Sequence, residues 1–157
     1  MGITSEEFFQ NIYNVIFSPK EFFENDNQNI STRLSIGIIA IMSVLNKTAY
    51  VIASDSLIGF TYIFTLMGSI ISAVIMWFIT ALIFEYIAKI FDKGGHLQKF
   101  LYLSAFACIP SVLFAPLHLL KHLGGFGYVL SVILSLALYL WMIVLYILAI
   151  KNTYKIS

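Results

Sequence analysis

Two histidines, His118 and His122, have the spacing in this sequence that most resembles a ligand pair. Four residues apart on a helix, they would share one face, and a metal ion or a haem could use such a pair. Two ligands are too few for a structural metal site, and the remaining histidine, His96, belongs to a different predicted loop. We therefore expect interfacial polar residues here, with no metal site and no cofactor.

Glu85 and Lys89 form a second candidate pair, also four residues apart. The acidic residue comes first, which is the favoured order for an ion pair along a helix. An ionisable residue inside a membrane segment indicates function by default, but both residues lie at the predicted end of an apolar run. The pattern predicts a solvated helix end.

Three long apolar runs lack the groups that most membrane chemistry requires. Residues 56–84, 100–120 and 126–150 contain no Asp, Glu, Lys or Arg, and the single cysteine is Cys108. Ion pumps, proton-coupled carriers and intramembrane metalloproteases need ionisable groups near the bilayer midplane. The sequence has no HExxH motif, no serine elbow and no glycine-rich phosphate loop. We expect no enzyme, and a channel would require oligomerisation.

Composition places the chain in a membrane. Of its 157 residues, 60% are hydrophobic and only 11% are charged, where soluble domains carry about a quarter. The net charge of +1 provides no field that would attract nucleic acid. About 20 apolar residues in a helix cross a bilayer core of about 30 Å. The runs therefore predict an all-α membrane protein, a four-transmembrane-helix bundle with spans at about 34–53, 57–84, 100–120 and 126–150.

The first of these runs is interrupted by Lys47, only 13 residues after its start at Leu34. A segment that short could be re-entrant or interfacial. If all four runs span, seven basic residues share one side of the membrane and two the other; otherwise the split is five against four. The seven are Lys20, Arg33, Lys89, Lys93, Lys99, Lys151 and Lys155, and the two are Lys47 and Lys121. The positive-inside rule favours four spans, with both termini in the cytoplasm.

The N-terminal segment, residues 1–32, has the pattern of two short amphipathic helices on the cytoplasmic side. Their aromatic faces should lie on the bilayer or against the bundle. Ser18 is a predicted N-cap, Pro19 fits the first helical position, and Glu21 would complete a capping box. The helical domain would occupy residues 33–151 and a polar tail residues 152–157. We expect the cytoplasmic contact surfaces to be the Gly94–Gly95 loop and the phenylalanines Phe8, Phe9, Phe22 and Phe23.

The third run contains Pro110 at its middle, which removes a backbone donor and predicts a kink. Ala107, Ser111 and Ala115 recur four apart in the same run. Small residues at this spacing let helix backbones approach closely, either within the monomer or at a homodimer face.

The order of these features resembles the Yip family of Ypt/Rab-interacting membrane proteins, and in particular its compact prokaryotic-type members. The likeness is carried by VIFSPKEFFE in the N-terminal segment, by FDKGGHLQKFLYLSAFACIPSVLFAP and by a glycine-led fourth run. A proline followed by paired aromatic residues precedes the first span, and a glycine-bearing loop leads into a proline-containing helix. These positions are Pro19, Phe22, Phe23, Gly94, Gly95, Phe100 and Pro110, and the resemblance covers most of residues 15–150.

The resemblance implies a polytopic scaffold for membrane organisation, trafficking or partner binding, without known catalysis. Its expected contacts are the lipid bilayer and a membrane-protein partner or a second copy of the chain. Family members commonly have five spans, whereas this sequence reaches Ser157 after four. With only 33 residues before the first run, we do not expect binding of a GTPase. A prokaryotic cytoplasmic membrane is the expected location, with a Golgi or ER membrane as the alternative. A small oligomeric transport or permeation protein is the alternative function, with Pro110 near the pore.

Overall fold

The structure, a computed structural model, describes residues 4–25, 30–53 and 59–155, apart from the side chains of Ser5, Ala53 and His122. Its elements within these ranges are helical. The α-helices are α1 Ser5–Phe17, α2 Pro19–Glu24, α3 Thr32–Ala53, α4 Phe60–Ile90, α5 Leu97–Ala107, α6 Phe114–Leu120 and α7 Gly124–Tyr154. Short 3-10 turns, Ile109–Leu113 and Lys121–Leu123, flank α6.

Four helical segments in the described part of the chain are long and apolar enough to cross a membrane. They are 32–52, 60–90, 97–120 and 124–154, and the first includes Lys47. Their number and composition confirm the predicted all-α membrane bundle with short N-terminal helices. α4 and α7 have 31 residues each and are therefore about 46 Å long, more than one bilayer core. Their outward faces are covered with large exposed apolar side chains, as expected of surfaces that face lipid.

The centre of the bundle is α5, in which every residue from Phe100 to Ala107 is buried. It packs against α1, α3, α4 and α7. The hydroxyl of its buried Ser104 accepts a hydrogen bond from the Trp77 indole N–H on α4 at 3.0 Å. A polar group that is enclosed by helices in this way needs such a partner, because neither lipid nor water can supply one.

Pro110 divides the third span into two short α-helices. α5 ends at Ala107, the chain continues as the 3-10 turn Ile109–Leu113, and α6 begins at Phe114. The Ser111 N–H bonds to the Cys108 carbonyl at 2.9 Å, three residues back, which is the 3-10 pattern. The predicted kink is therefore a complete change of helix type, and it lies against α3 and α7.

The α1–α2 hairpin, here called the arm, is built into one end of the bundle. Thr4 and Glu7 form the capping box of α1, with the Thr4 N–H donating to Glu7 Oε2 at 2.9 Å and the Glu7 N–H to Thr4 Oγ1 at 3.3 Å. Pro19 opens α2 as predicted, but the Ser18 side chain makes no cap hydrogen bond, so the predicted Ser18–Glu21 capping box is wrong.

The two ends of the bundle are formed by different parts of the chain. The arm, the 91–96 loop and the C-terminal end of α7 meet at one end, here called the arm end. At the opposite end, here called the far end, α3 finishes, α4 begins and α6 turns into α7. The Thr48 and Tyr62 hydroxyls join α3 to α4 there at 2.7 Å.

Candidate functional site

Glu85 is a buried carboxylate at the arm end, with only 5% of its surface exposed. The Gly95 backbone N–H donates to its Oε1, and the Tyr154 hydroxyl donates to its Oε2 at 3.1 Å. One carboxylate thus joins α4, the 91–96 loop and the last turn of α7. The interpretation of Glu85 as a solvated helix end beside Lys89 is wrong. The carboxylate turns inward to donors that lie 10 and 69 residues away in the sequence.

Two glycines allow the backbone conformation of the 91–96 loop. Gly95 has a φ of 97°, a conformation that side-chain-bearing residues rarely adopt, and this conformation carries the N–H that meets Glu85. At Gly94, an added Cβ would collide with the side chain of Lys89. Lys93 extends the connection, since its Nζ donates to the Lys155 carbonyl at 3.3 Å. The loop is therefore fastened to both α4 and α7.

An apolar cavity of about 350 Å³ opens beside this junction. The residues that line it are Phe84, Ile87, Ala88, Phe91, Lys93, Ile150 and Tyr154. It lies between α4 and α7 and holds no polar group besides those of Lys93 and Tyr154, which both have partners. Its apolar walls are those expected of a gap that faces lipid, and they indicate no catalytic role.

The arm has a buried face and an exposed face. The four phenylalanines that were all predicted to form a contact surface are divided between these two faces. Phe22 and Phe23 are 3% and 0% exposed, and the Phe22 ring packs against that of Phe106 on α5, with the ring centres 5.0 Å apart. They belong to the core and lie against the bundle, which was one of the two expected positions, so their predicted role in a cytoplasmic contact surface is wrong. Phe8 also packs inward, with its ring 6.4 Å from that of Phe106.

The exposed face of the arm carries three aromatic rings in a row, Phe9, Tyr13 and Phe17, here called the aromatic face. They are four residues apart, and 68%, 55% and 68% of their surfaces are exposed. The Tyr13 and Phe17 rings lie 4.7 Å apart. The helix beneath is held from the other side by Asn11, whose side-chain amide donates to the Tyr102 hydroxyl at 3.4 Å. Sequence reasoning identified Phe9 but missed its two companions, which an i, i+4, i+8 search would have found.

The far end contains a larger and more polar cavity of about 580 Å³. Helices α3, α6 and α7 and the Lys121–Leu123 turn line it. Its lining residues are Asn46, Phe114, His118, Lys121, Val132, Ser135, Leu136 and Tyr139. It is here called the far-end cavity.

His118 lines this cavity and packs its ring edge-on against Tyr50 at 6.0 Å. No group of three or more metal-ligating side chains occurs among the residues whose side chains are described, and that of His122 lies outside them.

Most polar groups inside the bundle are matched to a neighbour. The Ser131 hydroxyl donates to the Leu117 carbonyl at 2.8 Å, which joins α6 to α7. The Cys108 thiol lies 3.2 Å from the Tyr146 hydroxyl. These pairs hold helices together, as polar groups in a membrane interior commonly do, and they suggest no reaction.

Comparison with known families gives one match. A family model described as the Yip1 domain matches residues 13–157, which is nearly the whole chain. No curated protein and no solved structure matches it. The matched region includes α2, all four apolar segments and the 91–96 loop, so the resemblance seen in the sequence is confirmed at the level of the family.

Proposed function

Because the chain belongs to the Yip1 domain family, we propose that it is a non-enzymatic membrane scaffold that binds a membrane-protein partner through the aromatic face of its arm. The family is one of multi-pass membrane proteins that is not known for catalysis. Membrane organisation or trafficking is the proposed setting. The alternative of an oligomeric permeation protein is not favoured by this membership.

The observation that carries the proposal is the rigid support of the aromatic face. Val15, Phe22 and Phe23 anchor the arm in the core, while Phe9 and Phe17 project outward from it. Pre-ordered aromatic rings lose little conformational entropy on binding, which is why such residues dominate protein interfaces. The arm begins with exposed Glu6 and Glu7, and charged groups beside an aromatic face support a position of this face at the edge of the bilayer.

The two parts of the chain and its orientation belong to the same proposal. We place a cytoplasmic N-terminal segment in residues 1–32, the membrane domain in 33–151 and a polar tail in 152–157, in a prokaryotic cytoplasmic membrane. The seven-to-two asymmetry of basic residues supports cytoplasmic termini. The meeting of the arm, the 91–96 loop and the end of α7 at one end of the bundle supports the same arrangement.

Photo-crosslinking in native membranes tests this function. A photoreactive phenylalanine replaces Phe9 or Phe17 in the full chain, and Ile133, an exposed apolar residue on α7, serves as the matched position that faces lipid. We expect protein adducts of defined mass from the two arm positions and lipid adducts from Ile133. The adduct mass distinguishes a second copy of the chain from another membrane protein.

A second variant checks that the arm positions report binding. Tyr13→Ser removes the central ring of the aromatic face without touching the core, and it should abolish the protein adducts from Phe9 and Phe17. Only lipid adducts at all three positions would overturn the proposed function.

A further inference from the structure

The far-end cavity is not used by the proposed function, which acts through the arm. The polar residues that line it belong to two places in the fold. Lys121 and His118 lie where α6 ends, and Asn46 and Ser135 lie on α3 and α7 along its wall. Cavities of roughly 300–1,000 Å³ with a few polar groups set in apolar walls are typical of ligand sites, and about 580 Å³ falls in that range.

Asn46 is the wall residue with an unused bonding group. Its Nδ2 donates to the Ser111 hydroxyl at 3.4 Å, whereas its buried Oδ1 has no partner. Turning the amide over would exchange the two atoms, so one of them lacks a partner in either orientation. A buried polar atom without a partner is costly, and a ligand that offers both hydroxyl donors and oxygen acceptors would satisfy either orientation.

The charge around the cavity is positive. Lys121 lines it, and Lys47 lies close by, with its Nζ 5.4 Å above the Tyr50 ring that also packs on His118. Every acidic residue in the described ranges, Glu6, Glu7, Glu21, Glu24, Glu85 and Asp92, belongs to the arm or to the arm end. Asp55 falls outside the described ranges. The described charges at the far end therefore favour an anion.

We propose that the far-end cavity binds the headgroup of an anionic glycerophospholipid that carries free hydroxyl groups, the chemistry of a phosphatidylglycerol. Lys121 and His118 hold the phosphate, while a headgroup hydroxyl meets Asn46. A headgroup that ends in an ammonium fits less well, because it would lie beside Lys121.

The membrane is the expected source of this phosphate ester. Val132 and Leu136, which complete the cavity wall, are large apolar residues on the exposed face of α7. Acyl chains that leave the cavity would lie along this face without a break in apolar contact. Basic pockets between transmembrane helices on the cytoplasmic side of membranes bind anionic headgroups, and Lys121 offers the same charge chemistry at the far end.

Lipid titration of the delipidated full chain tests this site. Binding of phosphatidylglycerol and phosphatidylcholine is measured by native mass spectrometry for four proteins: the unmodified chain, Lys121→Gln, Asn46→Leu and Lys151→Gln. Lys151 is an exposed lysine at the other end of α7, and its replacement removes the same charge away from the cavity. Soluble glycerol phosphate is titrated in parallel.

We expect the unmodified chain and Lys151→Gln to prefer phosphatidylglycerol equally, and Lys121→Gln to lose about fivefold of that preference. Asn46→Leu should also reduce the preference while the lipid-free protein keeps its thermal stability, an outcome that a structural role for Asn46 would not give. An equal preference in all four proteins would overturn the site. Binding of glycerol phosphate as tight as that of the lipid would overturn the membrane source.

Discussion

At the arm end, both oxygens of the Glu85 carboxylate receive hydrogen bonds, from the Gly95 N–H and the Tyr154 hydroxyl, whereas at the far end the Asn46 amide has only one of its two polar atoms bonded. The arm-end cavity is walled almost wholly by apolar side chains, while the far-end cavity has a cationic rim. A satisfied group of this kind fixes elements to one another. At the far end the unpaired Oδ1 is buried, but it belongs to a residue that lines a cavity which a molecule from outside the chain can enter.

Thr153 limits this contrast. Its buried Oγ1 also lacks a partner, although it belongs to the arm end. It lines neither of the two cavities described above, so no ligand could approach it there. The difference between the ends therefore lies in an unpaired group combined with an accessible volume and a charge. Four substitutions test whether the two ends differ in this way.

The largest effect is expected inside the arm. Phe23→Ala removes a ring that is completely buried, and it should lower the free energy of unfolding by about 3–5 kcal/mol. The measurement is an SDS titration of the purified protein in detergent. Phe9→Ala is the matched control, since the same change on the exposed aromatic face should leave that free energy within about 0.5 kcal/mol. Equal effects would mean that the arm is not anchored in the core.

The second prediction concerns the carboxylate that joins the arm-end elements. Glu85→Ala leaves the Gly95 N–H and the Tyr154 hydroxyl without their acceptor and should cost about 3 kcal/mol of unfolding free energy in the same titration. Glu85→Gln keeps an oxygen for Gly95 and should cost clearly less. If both variants were as stable as the unmodified chain, the junction would not hold the arm end together.

A tight turn at the far end gives the third prediction. An added Cβ at Gly127 would collide with the Leu120 backbone carbonyl, so Gly127→Ala should cost about 1–3 kcal/mol and loosen the junction of α6 with α7. At Gly125 the same Cβ would meet nothing within 4 Å, and Gly125→Ala should be neutral or slightly stabilising. A neutral Gly127→Ala would show that this part of the far end is adaptable rather than fixed.

The sequence was sufficient for features that depend on length and local chemistry. The long apolar runs predicted four helices, and Pro110 predicted the break in the third, because both signals act within a few residues. Capping was less certain. Thr4-x-x-Glu7 and Ser18-x-x-Glu21 have the same pattern, yet only the first forms the hydrogen bonds, so the pattern alone does not determine which box closes.

The groups that distinguish the two ends could not be predicted, because their partners are distant in the sequence. Glu85 is buried since Tyr154 returns to it from 69 residues away. Periodicity indicated that the arm is amphipathic. Whether the Phe22 and Phe23 side chains face the core depended on the position of α5, which periodicity does not give. Asn46 gave no signal at all. The role proposed for Asn46 depends on a cavity that forms only when α3, α6 and α7 are packed together.

The smallest expected effect tests the contrast most directly. Asn46→Leu replaces an amide that has one unpaired atom with an apolar side chain of similar size, and it should leave the unfolding free energy unchanged or raise it by up to about 1 kcal/mol. Ser111→Ala is the control, because it removes the one hydrogen-bond partner found for the amide and should cost about 1 kcal/mol. A loss on Asn46→Leu as large as that on Glu85→Ala would make Asn46 a structural group. The two ends would then both depend on structural polar groups. A residue that serves binding alone can be replaced without a loss of unfolding free energy, and Asn46 would not be such a residue.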